Sequence, residues 1–272
     1  MSWSPLPDLE YAVVGGLRIA FRRVGAGPPL VLLHGALCDS RVWHAQLADL
    51  SDEFTVVAWD APGCGGSADP PETFRLPEYA DRLAELVAAL GLTRPHILGH
   101  SFGAGLALEL YRRHPSLPSS LLLAGGYAGW AGSLPPEAVE QRRHAALAVA
   151  QQLSHGRFSP ESVPGLFSSA MSDDQAAYLA QIMSDIRPAA TRVMAHGFAE
   201  ADLRDVLPLI EVPTLLLYGS LDERSPLAIA EQLFASIPDA QLVVLPGLGH
   251  ESYFESPTVF DGQVRRFLAD IP

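Results

Sequence analysis

The sequence predicts an α/β protein in which a mostly parallel sheet is covered by helices. Short apolar runs alternate with helical patterns along most of the chain, as in proteins built from βαβ units. Several runs are apolar throughout rather than alternating, which indicates strands buried on both faces. The chain has 272 residues, of which 48% are hydrophobic and 18% are charged. It is therefore long enough for a large core, and its composition argues against disorder.

Eight apolar runs are the predicted strands. The first two are joined at Gly15-Gly16, a pair that favours a hairpin turn. The others end in turn residues, and helical patterns separate most of them. The predicted strands are Tyr11–Val14, Leu17–Val24, Leu30–Leu33, Phe54–Trp59, Pro95–Leu98, Ser120–Ala124, Pro213–Tyr218 and Gln241–Leu245.

Helical patterns follow most of these strands. Pro77–Leu90 places its apolar residues near one face, and Gly91 is a stop signal after it. Pro115 ends the helix that begins at Ser101. The predicted helices in these parts of the chain are Ser40–Leu50, Pro77–Leu90, Ser101–His114, Ser225–Ile237 and Ser256–Leu268.

The middle of the chain has a different rhythm. From Gly125 to about Leu209 no strand pattern is convincing, and helix starts follow one another instead. They lie at Ser133 before Pro135-Pro136, at Ser159-Pro160-Glu161, at a capping box in Ser172–Gln175, and at Pro188. We expect residues 126–209 to form a helical insertion, or cap, in a core domain of residues 1–125 and 210–272. The alternative is that these helices belong to the core.

Composition restricts the partners. The net charge is −13 and the pI is about 5.0, which disfavours nucleic acid and anionic membranes. No apolar run is long enough to span a membrane, and the first residues lack a signal-peptide pattern, so we expect a cytoplasmic protein. Cys38 and Cys64 lack metal-ligand spacing, and we expect two free thiols. The pattern predicts neither a metal nor an organic cofactor, and it leaves the oligomeric state open.

One motif carries chemistry by itself. Gly99-His100-Ser101-Phe102-Gly103 matches G-x-S-x-G between an apolar run and a helix, which is the context that a nucleophile elbow requires. A sharp strand–helix turn exposes the serine hydroxyl, and side chains at positions 99 and 103 would collide with neighbouring backbone. Ser101 is the predicted nucleophile.

With this motif the chain resembles the α/β-hydrolase superfamily, specifically its cofactor-free branch with a helical cap. The resemblance extends from about Tyr11 to Leu268. It implies an eight-stranded, mostly parallel sheet with helices on both faces and a cap over the carboxyl edge of the strands. Halide-displacing and epoxide-opening relatives have aspartate at the elbow, so Ser101 argues against both reactions.

A serine hydroxyl needs a base, and the base needs a carboxylate to hold its tautomer. Among nine histidines, His250 follows the last strand in a glycine-rich loop, at the end of the sheet where α/β proteins place their chemistry. Asp222 lies in the loop after the preceding strand. The order Ser101, Asp222, His250 is that of the α/β-hydrolase fold. The rival acids are Glu223, Asp202 and Asp205.

The oxyanion hole follows from the resemblance. In the family, the His-Gly turn after the third strand provides a backbone donor, which here implies the N–H groups of Ala36 and Phe102. His34 is interpreted as a structural residue of that turn. The glycine-rich segment Asp60–Ser67 is also similar to a family segment, and we interpret it as structural.

The substrate pocket is the least defined feature. Leu37 follows the oxyanion turn, while Tyr127 and Trp130 follow the strand that enters the insertion. The other candidates are apolar residues of the insertion, each of which has core packing as its alternative: Phe167, Met171, Met183 and Met194. If these residues do line the pocket, the small-molecule substrate is largely apolar.

The predicted reaction is two-step hydrolysis of a carboxylic ester or related acyl bond. Three alternatives keep the same residues and change the bond: C–C hydrolysis, lactone opening and amide hydrolysis. A fourth is a hydrolase-like receptor that binds a small ligand without turning it over, although a receptor needs neither a base nor an acid.

Overall fold

The computed structural model describes residues 5–156, 158–166 and 168–271. Its described strands form one sheet with the order β1-β2-β4-β3-β5-β6-β7-β8. The strand β2 is antiparallel to β1 and β4, and the other pairs are parallel. The predicted mostly parallel eight-stranded sheet is confirmed. The strands are β1 Leu9–Val14, β2 Leu17–Val24, β3 Pro29–Leu33, β4 Thr55–Trp59, β5 His96–His100, β6 Ser120–Ala124, β7 Thr214–Gly219 and β8 Ala240–Leu245.

The helices follow the predicted pattern with three differences, of which one is the short helix α8 at Ser252–Glu255, which was not predicted. Ser40–Leu50 divides into a 3-10 turn at Ser40–Trp43 and the short helix α1. The start at Ser159 yields only the 3-10 turn Pro160–Ser162, because Pro164 disfavours helical backbone at Val163. The helices are α1 His44–Asp49, α2 Leu76–Ala89, α3 Phe102–Arg113, α4 Pro136–Ser154, α5 Asp173–Ser184, α6 Pro188–Glu200, α7 Leu227–Ser236, α8 Ser252–Glu255 and α9 Pro257–Ala269.

The central strands are buried on both faces, which explains their continuous apolar runs. Leu30 and Leu32 of β3 belong to one core cluster, with Trp43, Tyr253 and the helix α9. Val31 and Leu33 belong to the cluster on the opposite face, which includes α2 and α3. Successive side chains of the strand thus enter opposite layers, and neither layer is open to solvent.

The segment predicted to be an insertion, residues 126–209, lies between β6 and β7 and contains α4, α5 and α6. The predicted capping box is present at the start of α5. The Ser172 hydroxyl accepts a hydrogen bond from the Gln175 backbone N–H at 3.4 Å, and the Gln175 side-chain oxygen accepts one from the Ser172 N–H at 3.0 Å. Two of the four backbone donors that a helix start leaves unpaired are satisfied in this way.

Sheet topology determines where a site forms. The strand β3 lies between β4 and β5: the chain passes from β3 to β4 on one side and then crosses to β5 on the other, so the direction of the connections reverses at β3. A crevice opens at the carboxyl ends of the strands where the order reverses in this way. The turn after β3 and the turn after β5 both border this crevice.

Candidate active site

Ser101 occupies a strained turn between β5 and α3. Its backbone has φ 52° and ψ −111°, a conformation that a residue with a side chain rarely adopts. A β-carbon at Gly99 would overlap the carbonyl oxygen of Gly103, and one at Gly103 would overlap that of Leu33. Only glycine fits at either position. Strain of this kind is about 1–3 kcal/mol, and it persists where the surrounding structure enforces it, most often at functional sites.

Asp222 and His250 form a buried pair beyond the ends of β7 and β8. His250 Nδ1 lies 2.9 Å from Asp222 Oδ2, and the two side chains are 2% and 1% exposed. The other carboxylate oxygen, Oδ1, accepts backbone hydrogen bonds from Arg224 at 2.9 Å and Ser225 at 2.7 Å. These bonds fix the carboxylate, so Nδ1 carries a proton toward it and Nε2 is left with its lone pair.

The charge state of Asp222 follows from these contacts. Burial by itself would raise the pKa of the Asp222 carboxyl. The His250 ring and the Ser225 N–H outweigh burial and hold this pKa below its usual value. The carboxylate is therefore ionised at neutral pH and stabilises positive charge on the imidazole.

The fold brings Ser101 to the same place. The Ser101 N–H donates to the Ala124 carbonyl oxygen at 2.8 Å, at the end of β6. A β-carbon on the next residue, Gly125, would lie 3.1 Å from two atoms of the His250 ring and 3.3 Å from Asp222 Oδ2. Among the hydrogen bonds of the described residues, none joins the Ser101 hydroxyl to the His250 ring. Such bonds are often long without substrate and shorten in the reacting complex.

His100 supports the loop that carries His250. Its Nε2 lies 3.0 Å from the His250 carbonyl oxygen, and the two rings are 4.7 Å apart between centroids. Burial and the neighbouring His250 hold the pKa of His100 well below its usual value. The ring is therefore neutral, with its proton on Nε2, and it donates to that carbonyl.

The proposed oxyanion donors border one cavity. Ala36, Leu37 and Phe102 all line it. Phe102 opens α3, where the first backbone N–H groups lack partners within the helix. Neither the Ala36 N–H nor the Phe102 N–H donates in the backbone hydrogen bonds recorded for the described turns and caps. Backbone N–H groups are the kind of donor that a tetrahedral oxyanion requires.

His34 and Asp60 hold the neighbouring turns. His34 Nε2 accepts from the Ala61 N–H at 3.0 Å, and its Nδ1 lies 2.8 Å from the Gly35 carbonyl oxygen. The Asp60 carboxylate accepts from the N–H groups of Ser40 and Gly66, each at 2.8 Å. The polar atoms of both side chains thus form hydrogen bonds with backbone groups of these turns.

The cavity, of about 110 Å³, lies between the core and the insertion. Two helices of the insertion each present one stripe to it, at positions i, i+3, i+4 and i+7. The loop after α4 and the loop after β7 complete the wall. The lining residues from these elements are Arg142, Ala145, Ala146 and Val149 of α4, Thr191, Met194, Ala195 and Phe198 of α6, then Trp130, Ser162, Val163, Pro164 and Arg224.

The predicted pocket residues divide into two groups. Leu37, Trp130 and Met194 line the cavity. Tyr127 lies behind it, where its hydroxyl donates to the Arg224 carbonyl oxygen. Met183 is fully buried in the core cluster beneath the insertion, and Met171 packs against that cluster. Phe167 lies outside the described residues.

Sequence reasoning missed the two arginines of the lining. A stripe at helical spacing from Arg142 to Val149 was visible in the sequence, but its partner α6 and the gap between them were not. Arg224 lies two residues from Asp222, in a loop with no pattern that indicates a cavity wall. The arginines are the charged side chains among the residues that line this cavity.

Three residues near the Asp222–His250 pair carry atoms that can ligate a metal. Within the part of the chain that the structure describes, ligating atoms of His100, His250 and Glu251 lie within 4.8 Å of one another. His250 Nδ1 already pairs with Asp222, and His100 Nε2 already pairs with a carbonyl oxygen.

Among the described helices, none is long and apolar enough to cross a membrane.

Comparison with known proteins gives consistent results. A family model described as "alpha/beta hydrolase fold" matches residues 28–257. A pimeloyl-[acyl-carrier protein] methyl ester esterase from Aeromonas hydrophila is 30% identical over 267 residues, which cover 93% of this chain and 100% of the relative. A putative carbamate hydrolase from Pseudomonas savastanoi is 28% identical, over 89% of this chain and 93% of the relative. The solved structure of a thermophilic esterase from Thermogutta terrifontis is 29% identical, with a TM-score of 0.87 over 97% of this chain and 99% of that one.

Proposed function

Because the chain belongs to the α/β-hydrolase family, we propose that it is an esterase that cleaves a small carboxylic ester through an acyl-enzyme. The observation that carries the proposal is the strained backbone of Ser101, with φ 52°, beside a buried Asp222–His250 pair at 2.9 Å. Two similar proteins, from Aeromonas hydrophila and Thermogutta terrifontis, are esterases by name, which supports this choice of bond.

In the first step the Ser101 hydroxyl oxygen attacks the ester carbonyl while His250 Nε2 takes its proton. The backbone N–H groups of Ala36 and Phe102 donate to the oxyanion. The intermediate collapses as His250 returns the proton to the departing alkoxide, which leaves as the alcohol. Water then attacks the acyl-enzyme with His250 as base, and the carboxylic acid is released as Ser101 recovers its proton.

The insertion of residues 126–209 acts in this proposal as a cap. The helices α4 and α6 cover the cavity, and the wall near Ser101 comes from the core residues Ala36, Leu37 and Phe102. A covered site excludes water around the acyl group and strengthens hydrogen bonds to the oxyanion. The cap also determines which acyl groups fit.

The test is active-site labelling together with turnover. A fluorophosphonate probe is expected to modify wild-type protein at Ser101, mapped by peptide mass spectrometry. The Ser101→Ala variant is expected to lose labelling and to hydrolyse p-nitrophenyl acetate on the order of 10⁶-fold more slowly. The exposed Ser236→Ala variant is the matched control and should behave as wild type. Turnover by Ser101→Ala within tenfold of wild type would reject the proposed nucleophile.

A further inference from the structure

The cavity wall combines apolar side chains with two cations. The chain has 31 acidic and 18 basic residues, yet the charged residues that line this cavity are Arg142 and Arg224. A cation beside an apolar cavity loses favourable hydration, so it is maintained there only where something compensates. What each guanidinium contacts therefore shows whether the compensation comes from the protein.

Arg142 rests on aromatic rings and a carbonyl group. Its guanidinium lies 5.1 Å from the centre of the Tyr127 ring and 6.0 Å from that of Trp130. One terminal nitrogen donates to the Arg224 carbonyl oxygen at 2.7 Å. These contacts orient the guanidinium but use one of its five N–H donors.

Arg224 is held in a similar way. Its Nη1 donates to the Pro164 carbonyl oxygen at 3.2 Å, in the loop after α4. Burial, and then the like charge of Arg142, lower the pKa of Arg224. Neither arginine forms an ion pair with a carboxylate among the described residues, although most other arginines there do. The charges of Glu251 and Asp222 act on the pKa of Arg224 in the opposite direction, but no described carboxylate pairs directly with either guanidinium.

We propose that Arg142 and Arg224 bind an oxyanion that the ester substrate carries in addition to its scissile bond. This inference rests on the proposed function and narrows its substrate to anionic esters such as half-esters of dicarboxylic acids. The planar guanidinium fork matches a carboxylate or a phosphate in two parallel hydrogen bonds. The rest of the cavity wall is largely apolar, with Val149, Met194 and Phe198, and would accept a hydrocarbon chain that links the two ends of the substrate.

The first measurement is kcat/KM for monomethyl half-esters of dicarboxylic acids of four to eight carbons, each against the neutral methyl ester of the same length. A matched ester that ends in a phosphate distinguishes the two sources of the oxyanion. We expect a preference for the anionic ester of about 10- to 100-fold at the best length, as for hydrogen bonds to charged groups. Equal rates for anionic and neutral esters at every length would overturn the inference and leave the esterase proposal intact.

The second measurement removes the cations. Arg224→Gln and Arg142→Gln are expected to reduce the anionic-to-neutral ratio of kcat/KM by about 10-fold or more each. Arg142→Lys should recover part of it, since the charge returns without the fork. Arg143→Gln is the matched control, because Arg143 lies on the same helix and pairs with Glu140. An equal fall in the ratio for Arg143→Gln would indicate a general charge effect and overturn the inference.

Binding to Ser101→Ala separates this inference from the proposed function. Calorimetry should detect the anionic half-ester, with affinity reduced by Arg224→Gln in the same background. If the half-ester binds in this way but the wild-type protein hydrolyses no ester, the anion site is supported and the esterase proposal is rejected. Equal affinity of Ser101→Ala for anionic and neutral esters would overturn the anion site.

Discussion

Replacing Asp261 by Asn should stabilise the protein, by an amount that depends on pH. Asp261 lies in α9 and is 4% exposed; its Oδ1 accepts from Gln46 Nε2 at 2.9 Å. Burial raises the pKa of Asp261 from 3.8 to about 7. Asp261 Oδ2 and Gln46 Oε1 are both buried without a hydrogen-bond partner. Protonation removes the charge from this buried carboxyl, and the amide of Asn never carries it.

Proton linkage gives the sign and size of the change in unfolding free energy with pH. The unfolded chain ionises Asp261 near pH 4 and the folded chain near pH 7, so wild-type stability falls between these values and then levels off. A shift of about 3 units at about 1.4 kcal/mol each limits the loss to about 4 kcal/mol. Relaxation around the charge reduces this figure, and we expect Asp261→Asn to gain at least about 1 kcal/mol at pH 8.

Urea unfolding at pH 4.5, 6 and 8 measures the effect. The advantage of Asp261→Asn over wild type should grow with pH across this series. Asp270→Asn removes an exposed carboxylate near the end of the same helix and controls for net charge. An advantage that is the same at all three values, or a variant less stable than wild type at pH 8, would refute the reasoning.

Five further variants test the site and its scaffold. Asp222→Asn should lower kcat for ester hydrolysis by about 10⁴ with an unchanged circular dichroism spectrum, because the base loses its tautomer. Ser101→Gly should be more stable than Ser101→Ala by about 1 kcal/mol in urea, since glycine relieves the positive φ. Gly103→Ala should destabilise by about 1–3 kcal/mol, since its β-carbon overlaps a strand carbonyl oxygen, whereas Gly262→Ala in the exposed part of α9 should stabilise by up to about 1 kcal/mol. Ser172→Ala should remove about 1 kcal/mol through loss of the capping box at α5.

The elements were predictable where local rules coincide with the tertiary context. The hairpin at Gly15-Gly16, the elbow at Ser101 and the capping box at Ser172 each depend on residues within five positions of one another. The prediction failed at Ser159, where cap, proline and acid stand in the correct order. Pro164 limits that start to one 3-10 turn, and a helix needs several more residues to offset the entropy of its first turn.

The sequence by itself determined the α/β class, the eight strands and the proposed roles of Ser101, Asp222 and His250. The three site residues lie in short motifs at strand ends, and a parallel sheet brings the carboxyl ends of its strands to one edge. Only the tertiary structure decided which side chains of the insertion face the cavity, and that Tyr127 and Met183 do not. Packing of α4 against α6 sets that gap and places Arg142 beside Arg224, and no local pattern encodes a contact between residues 82 positions apart.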